Sequence, residues 1–267
     1  MTESIPGFIG VGSLAEYTIE GLRRGGYDGR ILLSPRNREC ARRLAQQFQC
    51  EVMNDNQSVV DSSDYLILST RPTHCHAALA DLKLKPGMLV VSVVAGVSID
   101  SLQAVTESDI QIVRAMPVNC AKACASPTLI YPDHKTVTRL FDYCGKAIVV
   151  QEEAFFEQGS VIACVYTWFF ALFEQLIEST SGPALPRELS TELVLGMAKG
   201  AASLALQNQS ITPGEIATSI ATEGTYSKQG LDLLIEQKAF EPWNQACQLL
   251  LDGLSRSADK ATTGSRT

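Results

Sequence analysis

Gly7-Phe8-Ile9-Gly10-Val11-Gly12-Ser13-Leu14-Ala15 runs from an apolar strand, across a glycine turn, into a helix carrying Glu16, Tyr17, Ile19, Leu22 and Arg23. The spacing Gly10-x-Gly12-x-x-Ala15 fits the dinucleotide-binding fingerprint. One glycine makes the tight turn, the second lets a pyrophosphate approach the backbone, and a small third residue packs helix on strand. The helix start offers unpaired N–H groups and a partial positive charge to that anion. A purely structural glycine turn is the bland alternative. The strand before and the helix after favour the fingerprint.

Working outward, strand and helix patterns alternate to about residue 150. Residues 30–34 read as a second strand, and 37–48 as a helix with Cys40, Ala41, Leu44 and Phe48 on one face. Residues 65–69 form a short, apolar strand of the kind found where both sheet faces are covered. A helix over 73–82, strands over 88–94, 110–115 and 128–131, a helix over 135–144 and a strand over 147–150 follow. This rhythm predicts an α/β fold, a Rossmann-like doubly wound sheet over residues 1–152. Beyond Glu152 only helical patterns appear, over 154–179, 186–207, 213–219, 226–237 and 240–254. Pro186 sits at a helix start, and Thr212-Pro213-Gly214-Glu215 has the form of an N-cap with proline and an acid behind it. Residues 153–255 are therefore expected to form an all-helical domain, followed by a polar tail, 256–267, with no fixed fold. Helices so rich in Leu, Phe and Ala need a place to bury their apolar faces, and a partner subunit supplies it.

Composition narrows the class. The chain has 267 residues, 45% of them hydrophobic and 19% charged, as an ordinary globular protein does. A net charge of −7 with no long Lys/Arg run argues against a nucleic-acid binder. No basic-then-apolar leader opens the chain, and the most apolar stretch, residues 161–172, falls short of the roughly twenty residues of a membrane span. The expectation is a soluble, cytoplasmic protein. The eight cysteines are scattered, without a Cys-x-x-Cys pair; His74-x-His76 beside Cys75, and Cys120 with Cys124, are the nearest approaches to ligand spacing. Structural zinc wants two tight pairs, so no metal is expected and the cysteines read as free thiols in a reducing compartment.

The end of the second strand decides the cofactor. An NAD-binding unit places an acid there to hold the ribose hydroxyls. Here stand Ser34, Pro35, Arg36, Asn37 and Arg38. A hydroxyl and two guanidinium groups welcome a 2′-phosphate, so NADP(H) is expected over NAD(H). The alternative is a solvated basic turn capping the next helix.

Further motifs point to a family. The opening stretch looks like the GFIGxGNMA of pyrroline-5-carboxylate reductases. Ser69-Thr70-Arg71-Pro72 stands where that family has AVKP, Val94-Ala95-Gly96-Val97-Ser98 resembles its AAGIS, and Val113-Arg114-Ala115-Met116-Pro117 matches its VRAMP. Leu185-Pro186-Arg187-Glu188 resembles LPRE and Gly196-Met197-Ala198-Lys199 resembles GAAK. The resemblance implies a Rossmann-like domain and a helical domain intertwined with a second subunit in a homodimer. It also implies hydride transfer from the nicotinamide of NADP(H) to the carbon of a cyclic imine. By the same resemblance, cofactor contacts would come from Gly10, Gly12, Ser13, Leu14, Ser34, Arg36, Asn37, Arg38, Ser69, Thr70, Arg71, Pro72, Ala95, Gly96 and Pro117.

The substrate half departs from the family pattern. MPNTP becomes Met116-Pro117-Val118-Asn119-Cys120; SGSGPAY becomes Ile162-Ala163-Cys164-Val165-Tyr166-Thr167-Trp168; SPGGTT becomes Thr222-Glu223-Gly224-Thr225-Tyr226-Ser227. Substrate contacts are expected from Val118, Asn119, Tyr166, Thr222, Glu223, Gly224 and Thr225. Ser227, or Tyr226 beside it, would donate to the imine nitrogen, unless these residues merely cap a helix. The expected activity is reduction of a C=N bond, in pyrroline-5-carboxylate (giving proline) or a related imine. Two alternatives stay open: a β-hydroxyacid-dehydrogenase-like oxidoreductase built on Lys199, and an inactive NADP-binding dimer.

Overall fold

The computed structural model of the protein describes residues 4–106 and 109–263. β1 (Pro6–Ile9) is buried at all four positions and leads through the glycine turn into α1 (Ser13–Arg24). β2 (Leu32–Leu33), β3 (Glu51–Val52), β4 (Tyr65–Leu68), β5 (Leu89–Ser92) and β6 (Gln111–Met116) follow, then β7 (Ser126–Tyr131) and β8 (Gly145–Val149). They form one sheet in the order β3-β2-β1-β4-β5-β6-β7-β8. Its first six strands have the doubly wound order, with the switch point between β1 and β4.

Alternating residues of the same strand sort onto two cores. Phe8, Ile67, Val91 and Val113 lie in one buried cluster with α1, α2 (Arg38–Phe48) and α6 (Lys135–Asp142). Ile9, Leu66, Val90 and Ile112 lie in the other, with α3 (Asn56–Ser62), α4 (Pro72–Ala80) and α5 (Ile99–Gln103). Helices therefore cover both faces, and this explains why β1, β4 and β5 carry no polar stripe.

One pairing breaks the parallel pattern. β6 and β7 run antiparallel, with Ala115 opposite Ile130, while β7 and β8 run parallel again. Residues 117–125 between β6 and β7 hold a short 3₁₀ turn (Asn119–Ala123), too little chain for the crossover of a dozen or more residues that a parallel neighbour requires.

The helical half consists of α7 (Glu153–Thr180), α8 (Arg187–Gln207), α9 (Pro213–Ile220), α10 (Tyr226–Glu236) and α11 (Glu241–Thr263). Thr212 and Glu215 close a full capping box at the start of α9: the Glu215 N–H donates to Thr212 Oγ1 at 3.2 Å and the Thr212 N–H to Glu215 Oε2 at 2.6 Å. The chain divides into two compact units inside α7, the first reaching Ala163 and the second being Cys164–Asp252. α11 corrects the expectation of an unstructured tail from residue 256, since its backbone stays helical to Thr263. That segment contains no Gly or Pro before Thr263, so nothing breaks a helix already nucleated over the preceding turns. The last four residues of the expected tail lie outside the described residues.

α7 and α8 also correct the expectation that the apolar stretch at 161–172 falls short of a membrane-spanning length. Each helix is long and apolar enough, by length and composition, to cross a bilayer, with mean hydropathy 1.6 and 1.2 over its best window. Much of that apolar surface is bare on the single chain: Ile162 is 62% exposed, Met197 73% and Leu206 71%.

Candidate dinucleotide cleft

The cleft is built at the carboxyl ends of the strands, where an open α/β sheet binds its ligand. Gly10 follows β1 in a left-handed conformation, φ +89°, and an added Cβ there would lie 2.9 Å from the Thr70 backbone nitrogen. Two hydroxyls fix this turn. Ser34 Oγ accepts the Gly10 N–H at 3.0 Å, and the Ser69 hydroxyl donates to the Gly10 carbonyl. Asn37 ties the second loop to the first: its Nδ2 donates to the Val11 carbonyl at 3.0 Å, and its Oδ1 accepts the Cys40 N–H at 3.3 Å, capping α2.

Gly12 differs from Gly10. It is the N-cap of α1, in extended backbone (φ −119°, ψ −167°), and makes no side-chain capping bond. A Cβ there would meet nothing within 4 Å. The start of α1, at Gly12, Ser13 and Leu14, thus borders open space. The space is a cleft of about 480 Å³ bordered by Gly10, Gly12, Arg36, Thr70, Arg71 and His74. It adjoins a lobe of about 530 Å³ that reaches Ser13, Leu14 and Arg43. An anion-binding helix end, bare glycine backbone and two guanidinium groups fit a dinucleotide phosphate.

The remaining cofactor candidates are distributed along the same edge. Arg71 is the N-cap of α4 and Pro72 its first residue. Ala95 and Gly96 are exposed after β5, Gly96 with φ +69°, and Pro117 is buried directly after β6. Two placements modify the sequence reading. Ser34 is 1% exposed and engaged with Gly10, so it shapes the turn instead of presenting its hydroxyl to a 2′-phosphate. Arg36 borders the fingerprint cleft, whereas Arg38 lines a separate hollow with Pro35, Arg42 and Val52.

Substrate candidates occur in both units. In the first, the Val118 N–H donates to Ser126 Oγ at 3.1 Å, and Asn119 is exposed at the start of the 3₁₀ turn. In the second, Tyr166 meets Phe170 edge-on at 5.1 Å along α7, which runs unbroken where the family pattern carries Gly and Pro. Thr222, Glu223 and Gly224 form an exposed turn before α10, with Gly224 at φ +82°. Thr225 caps that helix: its Oγ1 accepts the Lys228 N–H at 3.2 Å and donates to the Thr222 carbonyl at 2.7 Å. Capping therefore falls to Thr225, and Tyr226, 90% exposed, and Ser227 stand in the first turn without that duty. The Lys228 ammonium is held above its ordinary pKa, first by its bond to Asp232 and, more weakly, by Glu223.

Among the described residues no group of three His, Cys, Asp or Glu side chains is arranged for a metal ion. Burial pushes the Cys144 thiol up to about 12 and the Cys50 thiol up to about 11, making both poor nucleophiles. The sequence reading missed Arg114. This fully buried guanidinium in β6 pairs with Glu153 and Glu157 of α7. Its signal was a lone charge inside an otherwise apolar strand.

The two halves match two family models. Residues 6–96 match the family described as NADP oxidoreductase coenzyme F420-dependent, and residues 152–250 match pyrroline-5-carboxylate reductase dimerisation. A pyrroline-5-carboxylate reductase of Pseudomonas aeruginosa is 27% identical over 249 residues, covering 86% of this chain and 91% of its own length. Along most of its length the chain is similar to pyrroline-5-carboxylate reductases, and its helical half matches their dimerisation model. Solved structures bear out the family fold. A 1-pyrroline-5-carboxylate reductase from Streptococcus pyogenes superposes with a TM-score of 0.83 at 22% identity, covering 94% of this chain and 98% of its own. The Plasmodium falciparum pyrroline carboxylate reductase, solved with NADP bound, gives 0.81 at 19% identity, covering 97% and 100%. The region matched to that dimerisation model contains both α7 and α8, whose apolar faces are bare on the single chain.

Proposed function

We propose that this protein is an NADPH-dependent reductase of a carbon–nitrogen double bond, acting as a homodimer on pyrroline-5-carboxylate or a related cyclic imine. The observation that carries this reading is Gly12, at the bare N-terminus of α1 in a cleft at the sheet's switch point. Likeness to pyrroline-5-carboxylate reductases supports the reaction class, and the NADP in the Plasmodium relative supports the cofactor. When bound, NADPH would supply the hydride. The α1 N–H groups would hold the pyrophosphate, and Arg36 and Arg38 the 2′-phosphate. Backbone at Ala95, Gly96 and Pro117 would flank the nicotinamide half. Ser227 or Tyr226 would hold the proton for the imine nitrogen, in a site positioned by Thr222, Gly224 and Thr225. The free thiols fit a reducing compartment, and we place the protein in the cytoplasm. Steady-state NADPH oxidation with pyrroline-5-carboxylate and a panel of cyclic imines tests the reading; binding of NADPH with no oxidation by any imine would overturn it.

With Ser34 turned inward, discrimination between the two cofactors rests on the arginines. Arg36→Ala with Arg38→Ala is expected to weaken NADPH by about thirtyfold, roughly 2 kcal/mol for the lost charge-assisted bonds. NADH affinity should stay within about twofold. Parallel titrations decide, and equal losses for both cofactors would show that neither arginine reads the 2′-phosphate.

Glu223 bears on substrate choice. It brings a negative charge to a segment where the family pattern has none, and would oppose an acidic substrate. The turn is exposed, so solvent screens much of that repulsion. Glu223→Gln is expected to raise kcat/KM for pyrroline-5-carboxylate by about two- to fivefold and to leave an uncharged imine unchanged. Equal effects on both substrates would remove Glu223 from the site.

A further inference from the structure

Arg114 heads the fully buried side chains of the described residues, and it lies in β6 just before the Pro117-Val118-Asn119 segment. A guanidinium in that position requires a counter-charge, and the first turns of α7 supply two. Its Nη1 meets Glu153 Oε1 at 2.8 Å and also Glu157 Oε1. The Phe156 ring lies against the guanidinium, 4.4 Å from centroid to Cζ. One carboxylate would neutralise one guanidinium, so the second invites a separate explanation.

The two acids differ in what else they touch. Glu153 Oε1, the oxygen that meets Arg114, also accepts the backbone N–H of Ile99 at 3.2 Å. Among the described residues Glu157 bonds to Arg114 alone. Ile99 opens α5, behind the Ser98 cap, whose Oγ accepts the Ser101 N–H at 3.2 Å. Ahead of Ser98, across the buried Val97, comes the exposed turn of Ala95 and Gly96. A single carboxylate oxygen therefore joins three segments: β6, the start of α5 behind the turn after β5, and α7.

We propose that Glu153 is a positioning residue, holding the turn at residues 95–98 in place through the Ile99 N–H while Arg114 anchors the carboxylate from β6. Glu157 only balances charge. The importance of this turn to the cofactor rests on the reductase reading above; the clamp itself does not. Loosening it removes the hydrogen bond that ties residue 99, behind the turn, to α7, and leaves the glycine fingerprint, on another loop, untouched.

Hydrogen–deuterium exchange on the full-length chain, read on peptides covering residues 93–103 and 5–15, tests the clamp without any cofactor. Glu153→Ala is expected to speed exchange in the first peptide about tenfold and to spare the second. Glu157→Ala takes an equal charge from Arg114 and should leave both near wild type. Glu153→Gln keeps an acceptor oxygen and should restore most of the protection. If Glu153→Ala does not fold, Ile99→Pro removes the donor and leaves the charge cluster whole. Proline is tolerated at a first helical position, and Ser98 already has the extended backbone that a following proline requires. NADPH titration should show about a fivefold loss for Glu153→Ala and Ile99→Pro and none for Glu157→Ala, since loss of a preordered turn weakens binding without removing a contact. Equal changes in the Glu153→Ala and Glu157→Ala proteins, or wild-type exchange in Glu153→Ala, would overturn the proposal. A wild type that binds NADPH yet reduces no imine would sink the reductase reading and leave the exchange comparison standing.

Discussion

A Gly12→Ala variant is expected to melt with the wild type and to bind NADPH about a hundredfold more weakly, near 2.7 kcal/mol. The backbone of Gly12 is extended, open to any residue, and its added Cβ would meet nothing within 4 Å. Folding therefore registers no clash. The methyl group would occupy the space in front of the α1 N-terminus, where a pyrophosphate must approach the N–H groups closely. Gly10 is the contrasting case. Its φ of +89° and the 2.9 Å approach to Thr70 N make Gly10→Ala strained in the fold itself, by about 1–3 kcal/mol. Thermal melts with and without NADPH separate the two. Ligand at about a hundred times the wild-type Kd should raise the wild-type midpoint, move Gly12→Ala only slightly, and find Gly10→Ala already lower before any ligand is added. Should Gly12→Ala keep NADPH affinity within threefold of wild type, the cleft at α1 is not the phosphate site.

What the sequence disclosed, and what it hid, follows from the range of the forces involved. The fingerprint is legible because its chemistry is local: Gly10, Gly12 and Ala15 each answer to a neighbour within a few residues. The long helices after residue 152 are legible because their patterns run over many turns. β3 and α3 escaped notice, since a two-residue exposed edge strand and a seven-residue helix capped by Asp55 are too short to show a period. The antiparallel β6–β7 pairing depends on connection length and sheet position, which no residue type announces. Ser34 was read as a phosphate ligand from its place after β2; only the fold shows it buried, with Oγ accepting the Gly10 N–H. Arg114 is the most instructive. Its charge is plain in Val113-Arg114-Ala115, but its partners lie 39 and 43 residues along the chain and cannot be paired to it by spacing.

That cluster also carries the largest expected stability effect. Glu153→Ala together with Glu157→Ala would leave a guanidinium with no exposed surface and no counter-charge, a change that costs about 3–5 kcal/mol. For a chain of this size the midpoint should fall by about 10 °C. Adding Arg114→Met to the double variant removes the stranded charge and keeps an unbranched side chain against Phe156. Replacement of a buried ion pair or triad by apolar groups of similar volume is often close to neutral, so the triple variant should recover most of the lost stability. Its turn would not recover. With Glu153 gone, the Ile99 N–H still lacks its acceptor, so the exchange of residues 93–103 should stay fast and NADPH binding weak although the protein melts nearly as wild type does. A triple variant that regains stability and turn protection together would mean that Glu153 serves the fold alone. One that regains neither would mean that Arg114 has a role in the core beyond its charge.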